Sequence, residues 1–264
     1  MGQADELLAG GDVAGARKQL IEEVRANPGD IPIRMFLFQI FALLGEYDRA
    51  KAQLETIAKL DPEARMLAVA YNQCMDAEEL RAKVFAGEET APMLAKVEWG
   101  STLADALKAR QSGDDARADG LYDQAFDAAP TSAGSTDQGK QFDWIADADP
   151  RIGPATEAII AGRYGLIPFA ALEDITITPP ADLRDTIWTP AEFGMVQGAR
   201  VAGFIPARYP GSETSDDDAI VRGAATHWVG DEESGHYLGH RMLVFSDESE
   251  MPLQALQKIE FQTT

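Results

Sequence analysis

Three carboxylates, Asp143, Asp147 and Asp149, stand in a D-x3-D-x-D cluster. Carboxylates that close together could hold a hard divalent cation such as Mg²⁺ or Ca²⁺, which takes oxygen ligands. The glycine and distal glutamate of a calcium loop are missing. Turn formation and strand-edge solvation account for the same aspartates. Of the three histidines, His227, His236 and His240, the last two are spaced i, i+4 and would share a face only on a helix. Gly235 before them and Tyr237, Leu238 and Gly239 between them read instead as a loop entering a strand. Glu232 and Glu233 fit a solvated turn, and no cysteine is near to complete a zinc site.

Nucleophilic chemistry has little to stand on. Cys74, the single cysteine, lies in a predicted helix with no histidine close in sequence, and is expected to be a small buried residue. Gly211-Ser212-Glu213 lacks the G-x-S-x-G elbow, and no G-x-x-x-x-G-K-[ST] phosphate loop occurs. No cofactor is expected. A different group invites attention: Arg163, Tyr164, Arg184, Asp185, Trp188, Arg208 and Tyr209 combine guanidinium, carboxylate and aromatic groups. They can fix the fold through ion pairs and ring stacking, or form an exposed interaction patch, since Arg, Tyr and Trp dominate interface hot spots.

What must position these residues follows from pattern. The chain has 264 residues, 45% of them apolar, which is enough for a packed core. Lys and Arg number 23 against 44 Asp and Glu, a net charge of −21. That field repels nucleic acid and anionic membrane surfaces and favours basic or neutral partners. The first residues, MGQADELLAGGD, lack the basic and apolar regions of a signal peptide. A cytoplasmic location is expected.

The first half repeats with a period of 34. Residues 11–28 align with 45–62: Gly11 on Gly45, Ala16 on Ala50, Leu20 on Leu54, Pro28 on Pro62. Two periods beyond Gly45 stands Gly113, followed in phase by Ala118, Tyr122, Ala125 and Pro130. This is the tetratricopeptide pattern, in which Gly ends the first helix of a pair, Ala permits close approach, and Pro stops the second. The copy near Glu79 keeps register poorly, so helix from about Glu63 to Ala86 and then an irregular break are expected. Residues 31–45 are apolar nearly all round and should form the most buried helix. Such arrays commonly hold a peptide on a concave face, and the candidates here are Met35, Gln39, Ala42, Leu43, Val69 and Gln73.

From Phe142 short apolar runs bounded by Gly, Pro and Asp replace the helices: ATEAIIAG, GLIPF, ITIT, FGMVQ, RVAGFIP, THWVG, RMLVF and QKIEF. A turn at residues 197–200 suggests a hairpin. The expected class is α+β: a tetratricopeptide-like helical domain over 1–130, a flexible linker over 131–141, and a mostly antiparallel β-rich domain over 142–264.

Four stretches in order, FDWIADADPRIGP, AGRYGLIPF, PPADLRDTIWTPAEF and IPARYPGSE, resemble the ImpE family, also called TagJ or SciE-type. The resemblance runs through the whole second half. It implies a non-catalytic accessory protein of the type VI secretion system, binding the small subunit of the contractile sheath and linked to the AAA+ unfoldase that recycles the sheath. The rival reading is a metal-dependent enzyme with its site in the β-rich part, at Asp143, Asp147 and Asp149 or at the histidines.

Overall fold

The computed structural model describes residues 2–231 and 234–262. Seven helices come first: α1 (Gln3–Ala9), α2 (Val13–Ala26), α3 (Ile31–Leu43), α4 (Tyr47–Leu60), α5 (Arg65–Phe85), α6 (Gly100–Gln111) and α7 (Asp115–Ala128). The 34-residue period lays them out. Gly11, Gly45 and Gly113 adopt φ of 91°, 69° and 78°, the left-handed conformation that reverses the chain between α1 and α2, α3 and α4, and α6 and α7. Ala16, Ala50 and Ala118 are fully buried where the paired helices meet, and Leu20 and Leu54 fill the space beside them. Each of those leucines contributes about 1.5–3 kcal/mol by leaving water. Asp12 and Asp30 cap α2 and α3 by accepting from the backbone N–H of Gly15 and Ile33.

The weak copy has a simple cause. At the position equivalent to Gly45 the chain has Glu79, which cannot easily turn left-handed, so α5 runs on for 21 residues. Its partner helix is replaced by an irregular segment in which Met93 pairs with Leu166 and Leu94 N–H donates to the Leu166 carbonyl at 2.9 Å. As expected, α3 is the most enclosed helix, with every residue from Leu37 to Leu43 buried.

Among the described residues the second half has thirteen strands, one short α-helix and four single 3-10 turns. Eight strands make one antiparallel sheet, in the order β2 (Gln141–Phe142), β1 (Gly134–Thr136), β13 (Lys258–Phe261), β6 (Leu172–Ile177), β7 (Trp188–Met195), β8 (Arg200–Pro206), β4 (Ala155–Ile160), β5 (Arg163–Pro168). A three-stranded sheet stands beside it: β12 (Glu250–Pro252), β11 (Met242–Phe245) and β3 (Ile145–Asp147). Helix α8 (Asp218–Val221) and the ribbon of β9 (Thr226–Val229) and β10 (His236–Gly239) complete it. The expected turn at residues 197–200 joins β7 to β8, with Gly198 at φ 81°.

One expectation changes. The segment 131–141 is not a free linker, because β1 pairs with both β13 and β2 and Asp137 holds the backbone of Gln257 and Lys258. Its small residues are there for contact. A Cβ on Gly134 would lie 2.0 Å from the Glu260 carbonyl oxygen. The β-rich part has its own core, including Phe169, Phe193, Phe245 and Ile259. The helical core, in turn, continues across the joint into Ile159, Tyr164, Leu166 and Trp188.

Candidate functional site

At that joint, charges are buried in numbers that an apolar core would not tolerate unpaired. Glu157, on β4, is fully enclosed. It accepts from Arg81 of α5 through Nε at 2.7 Å and Nη2 at 2.9 Å, from Tyr164 Oη at 2.7 Å, and from Arg241 Nη2. Arg81 also pairs with Glu78 and donates to the Arg208 carbonyl, while Glu78 accepts from Trp188 Nε1 at 2.9 Å. Arg241 reaches on to Asp147, which accepts from Tyr209 Oη at 3.0 Å. Arg208 donates to the carbonyls of Leu43 and Val221.

The titration behaviour follows from this packing. Burial raises the Glu157 carboxyl, but the guanidiniums of Arg81 and Arg241 override it and hold it down at about 2. Asp147 shares Arg241 with Glu157, and there burial prevails, lifting it to about 6. The Tyr164 hydroxyl is pushed well up by burial and then by Glu157. His240, whose Nε2 is buried with no hydrogen-bond partner among the described residues, is lowered to about 4 by burial and by Arg241.

The two groups of residues singled out in the sequence therefore meet each other. Met35 on α3 lies 3.8 Å from Arg184 Nη1, Leu43 is capped by Arg208, and the Tyr71 ring of α5 packs against Trp188. Gln39, Ala42 and Leu43 are buried, so this stretch of the helical face is no open groove; the chain's own second half occupies it. Tyr164, Trp188, Arg208 and Tyr209 are likewise buried, so they form an internal network rather than an exposed patch; Arg184 is half-buried over the Tyr71 ring and Arg163 is exposed. The signal that could have joined the two groups was complementary: one surface rich in apolar residues and carbonyls, the other rich in donors.

The aspartate cluster is divided. Asp143 is exposed, Asp147 is bound to Arg241 and Tyr209, and Asp149 is clasped by Arg151 at 2.6–3.1 Å. With those oxygens already engaged by cations, the three do not converge. Among the described residues no group of three or more His, Cys, Asp and Glu is placed to hold a metal ion. His236 and Gly239 lie on β10 with His240 just beyond, extended as expected; Glu232 and Glu233 lie outside the described residues.

What remains open on the expected helical face is at α5. Val69 is 52% exposed and Met66 78%. Gln73, one turn on, packs over the β4–β5 turn at Gly162. Beside them is a cleft of about 600 Å³ whose far wall is the outer face of the sheet, including Thr176, Pro190, Ala202 and Phe204. Glu157, Asp147 and Arg241 face inward to one another, while Glu78, Arg81, Arg151, Glu213 and His236 line a second cleft of about 340 Å³.

A tetratricopeptide helical array closed by its own antiparallel sheet is the class of protein this geometry defines. The family model for ImpE protein matches residues 139–260, and that for the tetratricopeptide repeat matches residues 7–70. Over 262 residues the chain is 38% identical to the type VI secretion system accessory component TagJ of Pseudomonas aeruginosa, spanning 99% of this chain and 92% of that protein. A crystal structure of a Vibrio parahaemolyticus protein shares the fold, with a TM-score of 0.88 at 24% identity over 100% of this chain and 98% of that one. The chain belongs to the ImpE/TagJ family.

Proposed function

We propose that this chain is a non-catalytic, cytoplasmic accessory protein of a type VI secretion system. It binds a helical segment of the small sheath subunit and works alongside the AAA+ unfoldase that recycles the sheath. The near full-length identity to an accessory component of that system carries this reading. Two features support a binding role. Tetratricopeptide arrays are peptide-holding scaffolds, and the buried carboxylates Glu157, Asp147 and Asp149 are each committed to an internal guanidinium. The described residues contain no helix long and apolar enough to cross a membrane.

The partner helix lies along the open stripe of α5, with apolar side chains against Met66 and Val69 and its flank toward Gln73 and the 600 Å³ cleft. The helical part, residues 1–130, and the β-rich part, 142–264, serve as two modules of one scaffold, the second closing the rest of the helical face. Titration of the small sheath subunit into the purified chain tests this. Binding by the wild type, weakened at least about tenfold by Val69→Asp, is expected for loss of an apolar anchor. Unchanged affinity in that variant overturns the placement, and no binding by the wild type overturns the reading.

A further inference from the structure

Two further clefts share Phe126 as a lining residue. Phe126, at the end of α7, is 39% exposed. It nevertheless sits firmly, with its ring 5.5 Å from that of Tyr122 and against the backbone of Gly153, where a Cβ would come within 2.7 Å of it. On one side of Phe126 is an apolar cleft of about 380 Å³, bounded by Pro130, Pro154 and Trp144, the last 38% exposed. On the other side is a cleft of about 230 Å³ lined by Arg110, Asp119, Asp123 and Arg151. The lining charges cancel, and the ion-pair partners Asp115 and Asp149 just behind them tip the surroundings negative. Arg110 is taken up by Asp115 and Asp119, and Arg151 by Asp149, which leaves the exposed Asp123 without an ion pair among the described residues.

We propose that these paired clefts form a second docking surface, which takes a short basic segment of a partner protein. An aliphatic or proline side chain of that segment enters between Phe126 and Trp144. A neighbouring lysine or arginine lies over the Phe126 edge against Asp123. Two arguments select this occupant. The pre-seated Phe126 ring offers apolar contact at little entropic cost. A surplus carboxylate beside it, in a chain of net charge −21, attracts a cation and repels an acidic peptide. The inference rests on reading the chain as a binding protein, but it does not depend on the sheath subunit.

A phage-displayed random 12-residue library, panned on the purified chain, is the probe. Enrichment of sequences with an apolar residue within two positions of Lys or Arg is expected. Synthetic copies of the enriched peptides should lose at least about tenfold in affinity to Trp144→Ala and to Asp123→Lys. Asp123 is exposed, so its variant should leave the thermal midpoint within a few degrees of the wild type; Trp144 is partly covered, so its variant is compared at a temperature where circular dichroism shows it folded; Val69→Asp serves as the control that leaves these peptides bound. No enrichment, enrichment without basic residues, or full affinity in both variants overturns the proposal. Because the sheath subunit takes no part, its failure to bind would leave this result standing.

Discussion

Arg81 on α5 grips Glu157 on β4 with two parallel bonds, 2.7 Å from Nε and 2.9 Å from Nη2, across 76 residues of sequence and with both groups buried. That fork joins the helical array to the sheet. Its planar, bidentate geometry is one that lysine cannot reproduce.

Breaking the fork from one side should be costly. Arg81→Met leaves Glu157 with only Arg241 and Tyr164 and should destabilise the chain by about 3–5 kcal/mol, the usual penalty for removing one partner from a buried ion pair. Arg81→Lys should recover only part of the loss. Replacing both Arg81 and Glu157 by Met should cost clearly less than the two single changes added together. Urea unfolding of the four variants checks this.

The pH dependence has a predictable sign at His240. Its folded pKa of about 4 lies below the ordinary 6.5, so its contribution is present above 6.5 and is lost as pH falls toward 4. His240→Leu removes that titration and leaves no orphaned nitrogen. Between pH 6.5 and 4 the wild type should lose on the order of 3 kcal/mol relative to the variant. The comparison also cancels the two neighbouring acids. Asp147, raised to about 6, contributes stability that is full below about pH 4 and lost as pH rises through 6, whereas the contribution of Glu157 is present above about pH 4.5 and lost progressively as pH falls to about 2. Denaturant midpoints across pH give the difference curve, and a flat one would rule out the buried neutral histidine.

Two substitutions on the helical array should separate folding from binding. Leu43 is fully buried and capped by Arg208, so Leu43→Asp should abolish or severely weaken folding, by about 4 kcal/mol or more. Val69→Asp, on the exposed stripe, should leave the thermal midpoint within a few degrees of the wild type. Circular dichroism on heating distinguishes them.

Cys74 should be silent in the native protein. It is fully buried, and burial, then the nearby Glu78, pushes its thiol well up. A thiol-reactive dye at pH 8 should label it only after unfolding, and labelling at the rate of a free thiol would contradict the packing around α5.

The repeats were legible in the chain alone, because a helical hairpin is a local object. Gly11, Gly45 and Gly113 needed only φ, and Ala16, Ala50 and Ala118 only small size, so a fixed spacing of residue types was enough. Even the break was foreshadowed by Glu79 standing where glycine belonged. The short strands were readable for the same reason, from alternation and turn residues. The family-like stretches also hold Tyr164, Trp188, Arg208 and Tyr209, which the folded chain buries at the joint instead of exposing as a patch.

What no local pattern could decide was which surfaces face each other. Met35 and Arg184, Leu43 and Arg208, and Arg81 and Glu157 are each far apart in sequence, and neither member carries a mark of its partner. The same uncertainty hid the role of 131–141, whose small polar residues look like a tether until β13 arrives to pair with them. Residue types set the helices, strands and stock of buried charge, since those depend on neighbours a few positions away. Only the folded chain decided that the expected groove would be closed from within, because pairing buried charges across the joint requires both halves in place at once.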